Sequence, residues 1–227
     1  MRLFQIICVH LLRLVVNTHP IISLVKVLRA STEALLVAEQ YLLSGKFVVL
    51  PTDTAYALSC LADDQNLVIR AWEIKRRGMI PMPVFVSSIE EMLRIVRLSP
   101  EGVAAASKLL PGPITFVGPL IDHSLQAAAA GRASLGVRIP NHWFTLALLR
   151  RIGRPLLGTS ANISGNPSPR SCFEAILQLG ELVDLYVDAN LTVYDKDSTV
   201  VRIEEGRVDV IRLGPVGVAT IRAAFSR

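Results

Sequence analysis

The sequence has little of what the most recognisable chemistries need. Cys8, Cys60 and Cys172 are scattered over 227 residues with no paired spacing, which excludes a disulfide framework and a cysteine-rich zinc site. The four histidines, His10, His19, His123 and His142, show no ligand spacing either, so no protein-held metal is expected. Sparse, unpaired cysteine suits a reducing, cytoplasmic setting. Aromatic residues are few (6%), and no RNA-binding motif is present, which counts against a base-stacking RNA module. Also missing are a GxxxxGK[ST] phosphate loop, a GxGxxG turn after a strand, HExxH and GxSxG, so the common nucleotide and hydrolase signatures are excluded. No apolar run is long enough to span a bilayer: "MRLFQIICVHLLRLVVNTHPIISLVKVLR" is interrupted by His10, Arg13 and His19–Pro20, and no membrane association is expected. Residues 1–20 read as an N-terminal extension of unknown role, with a targeting segment as the other reading because Arg2 precedes an apolar run.

What is present is a large supply of core residues. Hydrophobic residues make up 51% of the chain, dominated by Val, Leu and Ala, which favours one α/β domain over a β-sandwich. The excess of 24 basic over 19 acidic residues gives a formal charge of +5, compatible with a plain soluble surface or with a groove for an anion. No repeat or linker divides the chain. Helices are expected from Ser31 or Thr32 to Ser44 with Gly45 as the stop, from Asp63 or Asp64 to Ile74, over "SIEEMLRIVR", from Pro100 to "PGP", over "HWFTLALLRRI", over "SCFEAILQL" and over "VGVATIRAAFS". Strands are expected at "KFVVLP", "PVFVSS", "ITFVGPL", "SLGVRIP", "PLLGTS", "LVDLYVDA", "STVVRIEEG" and "RVDVIRLG". The expected architecture is a single domain over residues 21–227. It would hold a twisted, mixed, open sheet of about seven strands, flanking helices and a basic concave groove.

The informative residues are small polar and cationic groups at strand ends. In "VVLPTDTAYALSC", Thr52, Asp53 and Thr54 interrupt an otherwise apolar run. In "SLGVRIP" the alternation of a strand puts Leu135, Val137 and Ile139 on one face and Ser134, Gly136 and Arg138 on the other. A glycine between a hydroxyl and a guanidinium admits a ligand close to the backbone, and Arg138 has the planar fork suited to carboxylate or phosphate. An exposed strand face with a surface arginine is the other reading. In "EIKRRGMIPMP", Gly78 and Pro81 indicate a helix already ending, so Lys75 and Arg77 would point the same way in an extended segment and grip one polyphosphate. A solvated cationic helix end is the alternative. "PLLGTSANISGNPSPRS" brings Ser160 and Asn162 to a strand end, where hydroxyls and exposed amides suit phosphate oxygens. "KDSTVV" and "IRLGP" repeat the theme with Ser198 and Arg212.

Together, "GKFVVLPTDTAYAL", "KRRGMIPMPVFV", "LLPGPITFV", "SLGVRIPNH", "GTSANISGNPSP" and "STVVRIEEGRVDVIRLG" resemble the threonylcarbamoyl-AMP synthase family, the YrdC-like domain, in its order and over roughly residues 32–214. The resemblance implies ATP, L-threonine and bicarbonate or CO₂ as substrates, with Mg²⁺ accompanying the ATP. Threonylcarbamoyl-AMP and pyrophosphate would be the products. A partner transferase complex would pass the threonylcarbamoyl group to adenosine 37 of tRNA. By position, Thr54, Arg138 and Ser198 resemble the threonine-binding residues, Arg138 holding the carboxylate. Lys75 and Arg77 resemble the K-x-R phosphate contacts that carry catalysis, and Ser134, Ser160, Asn162 and Arg212 resemble further ATP contacts. Asp53 is expected to be structural. The chain resembles the short, single-domain form.

Three positions depart from the family's pattern. Ala55 and Ala57 stand where "PTDTVYGL" has valine and glycine, and Gly78 replaces a common proline. Alanine at 57 would be strained if that position needed a positive φ. Two other readings stand beside the enzyme: a non-catalytic module binding tRNA or double-stranded RNA, and a diverged paralogue with another substrate.

Overall fold

Five of the seven α-helices among the described residues start on a side chain that accepts a hydrogen bond from a first-turn amide. The computed structural model describes residues 25–204 and 207–226, so the expected extension at 1–20 lies outside the described residues. Helix α1 (Thr32–Leu43) begins on Ser31, whose hydroxyl accepts from Ala34 N, and the chain leaves it through Gly45 at φ +74°. Asp64 caps α2 (Gln65–Ile74), Ser88 caps α3 (Ile89–Ile95) and Ser99 caps α4 (Pro100–Leu109), with Pro100 in the first turn where its missing amide costs nothing. Helix α5 (Trp143–Ile152) ends at Gly153, α6 (Cys172–Leu179) starts on Ser171, and α7 (Val218–Phe225) is the last element. No helix among the described residues is long and apolar enough to cross a membrane.

The strands form two sheets. In the five-stranded sheet, β1 (Val27–Arg29), β9 (Leu185–Asp188), β2 (Val48–Leu50), β3 (Ala57–Ser59) and β8 (Thr159–Ser160) lie side by side in that order. In the six-stranded sheet the order is β11 (Arg207–Arg212), β10 (Thr199–Glu204), β5 (Ile114–Pro119), β6 (Ser134–Arg138), β4 (Val84–Phe85) and β7 (Leu156–Leu157). Pairing is mixed: β10 runs parallel to β5 and antiparallel to β11, as the short connection between β10 and β11 implies. One continuous hydrophobic cluster serves both sheets, including Phe47, Leu58, Val84, Phe116, Val137 and Tyr186, all buried. The mixed α/β architecture is therefore as expected, but the strands divide between two sheets where one was expected, and among the described residues their count is larger. Strands β1, β3, β7 and β8 are two or three residues long, too short to carry a readable period of two.

"PLLGTS" is where this matters most. It is two strands in different sheets, β7 and β8, separated by Gly158. A Cβ on Gly158 would lie 2.4 Å from ring atoms of Phe85, so only glycine allows the crossing. The groove described next opens at this junction. Gly158→Ala must push Phe85 aside and is expected to cost about 1–3 kcal/mol, read as a lowered denaturation midpoint with an unchanged slope. A midpoint equal to the parent's would show that Phe85 can yield freely.

Candidate functional site

Seven of the nine residues singled out above, Thr54, Arg77, Ser134, Arg138, Ser160, Ser198 and Arg212, line one groove of about 370 Å³. Lys75 and Asn162 line an adjoining hollow that shares Arg77 and Ser160 with it. The volume suits a metabolite-sized ligand.

The floor is the face of β10, β5 and β6 that alternation turns away from the core. Leu135, Val137 and Ile139 are buried, while Ser134, Gly136 and Arg138 line the groove. Register places Gly136 beside Val117, and a Cβ on Gly136 would come within 3.1 Å of the Thr115 methyl group. On β10 and just before it, Ser198, Val200 and Arg202 share the same face. The Ser198 and Thr115 hydroxyls are 3.0 Å apart. Arg212 donates through Nε and Nη2 to the Ser198 carbonyl (3.0 and 2.8 Å) and pairs with Asp197 at 3.3 Å.

The triplet Thr52–Asp53–Thr54 closes one wall. The Thr52 hydroxyl accepts from the amides of Thr54 and Ala55 (3.1 and 3.2 Å), folding the segment tightly. Arg138 donates to the Thr54 hydroxyl (2.8 Å), to the Gly112 carbonyl (3.0 Å) and to the Asp53 carboxylate in a buried ion pair. Burial works against the Arg138 charge and Asp53 supports it. Asp53 also accepts from the Asn141 amide (3.2 Å), while its second carboxylate oxygen is buried without a partner. The structural role expected for Asp53 is observed, and it extends into the site because Arg138 depends on this carboxylate. These contacts engage three of the five N–H donors of Arg138.

The Lys75–Arg77 segment differs from expectation. It is not extended: Lys75 closes α2 in helical geometry, and Arg76 then takes φ +49°. Both side chains nevertheless line the adjoining hollow. Arg77 is half-buried on the groove, and its Nε is buried without a partner. Lys75 is 1% exposed, its ammonium donating to the Ser160 carbonyl, the Asn162 carbonyl (2.9 Å) and Asn162 Oδ1 (3.2 Å). Asn162 Nδ2 donates to the carbonyls of Ile163 and Asn166 (3.1 and 2.7 Å), so its amide is spent on shaping the loop after β8. Lys75 and Asn162 thus build the wall on which Ser160 is presented.

Burial, and then the nearby Arg77 charge, pull the Lys75 pKa from 10.5 down to about 7, against the support of Asp197. Its three oxygen acceptors favour the ammonium and oppose that fall. Between about pH 7 and 10.5 the unfolded chain holds a proton that the folded chain has lost, so this residue's contribution to stability rises with pH across that window and is flat below it. An anion bound beside Lys75 reverses the shift. Affinity for pyrophosphate is therefore expected to weaken as pH rises above about 7, with net proton uptake on binding, in calorimetry repeated in buffers of different ionisation enthalpy. Affinity independent of pH from 6 to 9 would remove Lys75 from the anion's surroundings.

Ala57 raises no strain. It lies in β3, paired with Ser160, and is not among the described residues with positive φ. A Cβ added at Gly78 would meet nothing within 4 Å, so packing does not require glycine there. Sequence reasoning missed Arg132 and Arg202, which also line the groove. For Arg202 a signal existed: it stands four residues after Ser198, on the same face of one strand. Among the lining residues Asp197 is the sole carboxylate, already paired with Arg212, and no cluster of three metal-ligating side chains occurs among the described residues. These side chains do not form a cage for a divalent ion.

Comparison with known proteins identifies the family. The family model for the Sua5/YciO/YrdC domain, described as "Telomere recombination", matches residues 40–214. A threonylcarbamoyl-AMP synthase of Klebsiella pneumoniae is 30% identical over 154 residues, covering 66% of this chain and 81% of that protein. A threonylcarbamoyl-AMP synthase of Pyrococcus abyssi is 31% identical over 180 residues, covering 78% of this chain but 53% of that protein, so the chain spans about half the length of this relative. The crystal structure of P. abyssi Sua5 complexed with L-threonine superposes with a TM-score of 0.82 at 29% identity, covering 87% of this chain and 59% of that one.

Proposed function

From the premise that this chain belongs to the Sua5/YciO/YrdC family, we propose that it is a threonylcarbamoyl-AMP synthase, a nucleotidyltransferase that joins L-threonine, CO₂ from bicarbonate and ATP. The observation that carries this reading is the convergence of the nine residues on one groove and its adjoining hollow. The structure of P. abyssi Sua5 with L-threonine supports an amino acid as one occupant.

The chemistry needs no protein nucleophile, which fits the missing hydrolase motifs. The threonine amine attacks CO₂, forming the N–C bond of a carbamate and releasing a proton. A carbamate oxygen then attacks the α-phosphorus of ATP, and the bond to the bridging oxygen breaks to release pyrophosphate. The protein supplies placement and charge. The two uncommitted N–H groups of Arg138 take the threonine carboxylate, beside the hydroxyls of Thr54 and Ser198. Arg77 takes phosphate oxygens, and Lys75 fixes the loop that offers Ser160 while adding its own positive charge. Ser134 and Arg212 flank the nucleotide. Mg²⁺ is proposed to arrive on the nucleotide's phosphates, since the groove's own carboxylate is already paired. The product would pass to a tRNA-modifying transferase complex in the cytoplasm.

The decisive experiment incubates the protein with ATP, bicarbonate and each of several amino acids, and looks for the adenylate by mass spectrometry. An adenylate formed with L-threonine alone supports the reading. No adenylate with any amino acid overturns it, and one formed with a different amino acid points to the diverged paralogue.

A further inference from the structure

Five arginines face the groove, and they fall into two groups. Arg138 and Arg212 are tied to the protein by hydrogen bonds and ion pairs. Arg77, Arg132 and Arg202 make no side-chain hydrogen bond or ion pair among the described residues, and the Nε atoms of Arg77 and Arg202 are both buried. A buried guanidinium N–H without an acceptor costs free energy that a bound anion can return. The proposed reaction gives Arg77 its anion. It leaves Arg132 and Arg202 with none.

Register puts these two at one end of the groove, away from Arg138. Arg202 on β10 stands beside Val117 on β5, which stands beside Gly136 on β6. Ser134 lies two residues beyond Gly136 in the same direction, and Arg132 precedes it by two more. Ser198 and the Arg138 row lie toward the other end. Register sets Asp209 on β11 opposite Arg202, and among the described residues no ion pair joins them. A half-buried Arg202 and an exposed Arg132, neither paired among the described residues, supply donors that a tetrahedral oxyanion needs.

We propose that Arg202 and Arg132, at the rim next to the nucleotide-flanking Ser134, form a second oxyanion subsite, specific for a phosphate group on a small molecule and separate from the phosphate contacts at Lys75 and Arg77. The subsite extends the groove beyond what the synthase reading requires, and its test uses no turnover, so the two can fail independently.

The probe is inorganic phosphate, titrated into Arg77→Ala protein so that the inner contacts are weakened, while the Nε–H resonances of the arginines are followed by NMR. The expected result is a saturable shift of the Arg202 Nε–H signal. Arg202→Gln in the same background should lower phosphate affinity roughly ten- to hundred-fold, the range for losing one charge-assisted contact. Arg202→Lys should restore part of it, because charge returns without the planar fork. Thermal melts of each variant report whether it folds, and the resonance shift needs no substitution at Arg202 at all. A signal that stays still, or that moves only when Arg77 is intact, overturns the proposal. So does a shift produced by a short oligoribonucleotide but not by inorganic phosphate, which would make this rim a nucleic-acid surface.

Discussion

Arg77→Ala and Lys75→Ala are each expected to slow threonine- and bicarbonate-dependent pyrophosphate release by roughly 10²–10³-fold, on the order of 2–4 kcal/mol of lost transition-state stabilisation. The two variants should differ in stability. Among the described residues the Arg77 side chain makes no hydrogen bond or ion pair, so its removal takes none from the folded state there. Lys75 holds two backbone carbonyls and the Asn162 side chain, so alanine leaves buried acceptors unpaired. Losing them costs about 1–3 kcal/mol, partly offset because a desolvated charge is also removed. Thermal melts beside initial rates separate these effects. Unchanged turnover in both variants would reject the phosphate assignment. A defect confined to Lys75→Ala, in step with a lower melting temperature, would assign the whole effect to the loop carrying Ser160.

Asp53→Asn is the substitution with the largest expected effect on stability. Asparagine keeps the shape and an oxygen for the Asn141 amide, so the change isolates the charge. It leaves the Arg138 guanidinium, 4% exposed, without a counter-charge. Removing one partner of a buried pair typically costs 3–5 kcal/mol, which for a domain of this size corresponds to a melting temperature lower by roughly 6–20 °C. The companion Asp53→Asn/Arg138→Met protein should lose less than the sum of its single changes, since no unpaired charge remains. Additive losses would show that the pair contributes little beyond its separate contacts. Amino-acid binding should also weaken in Asp53→Asn, because the freed Arg138 swings to whichever acceptors remain, and calorimetry with L-threonine measures this.

Much of this was legible in the chain itself. Helix starts at Ser31, Asp64, Ser88, Ser99 and Ser171 are local events, decided by a side chain reaching an amide two or three residues away. The two faces of β6 follow from alternation alone, and so did the assignment of Ser134 and Arg138 to one surface. The family followed from the order of six short motifs, each weak without the others.

Tertiary structure decided what depends on distant partners. That Asp53 holds Arg138, 85 residues away, has no local signature, because any buried carboxylate satisfies its neighbours equally well in sequence. The division of "PLLGTS" between two sheets rests on how close Phe85 approaches Gly158, a matter of packing between strands. The turn at Arg76 replaces the extended segment that spacing suggested, leaving Lys75 buried and Arg77 half-buried on one hollow. Local hydrogen bonds and periodicity act over a few residues and can be read from their order. Ion pairs and close approaches exist only once the strands share a core, since each is a relation between segments that the chain itself keeps far apart.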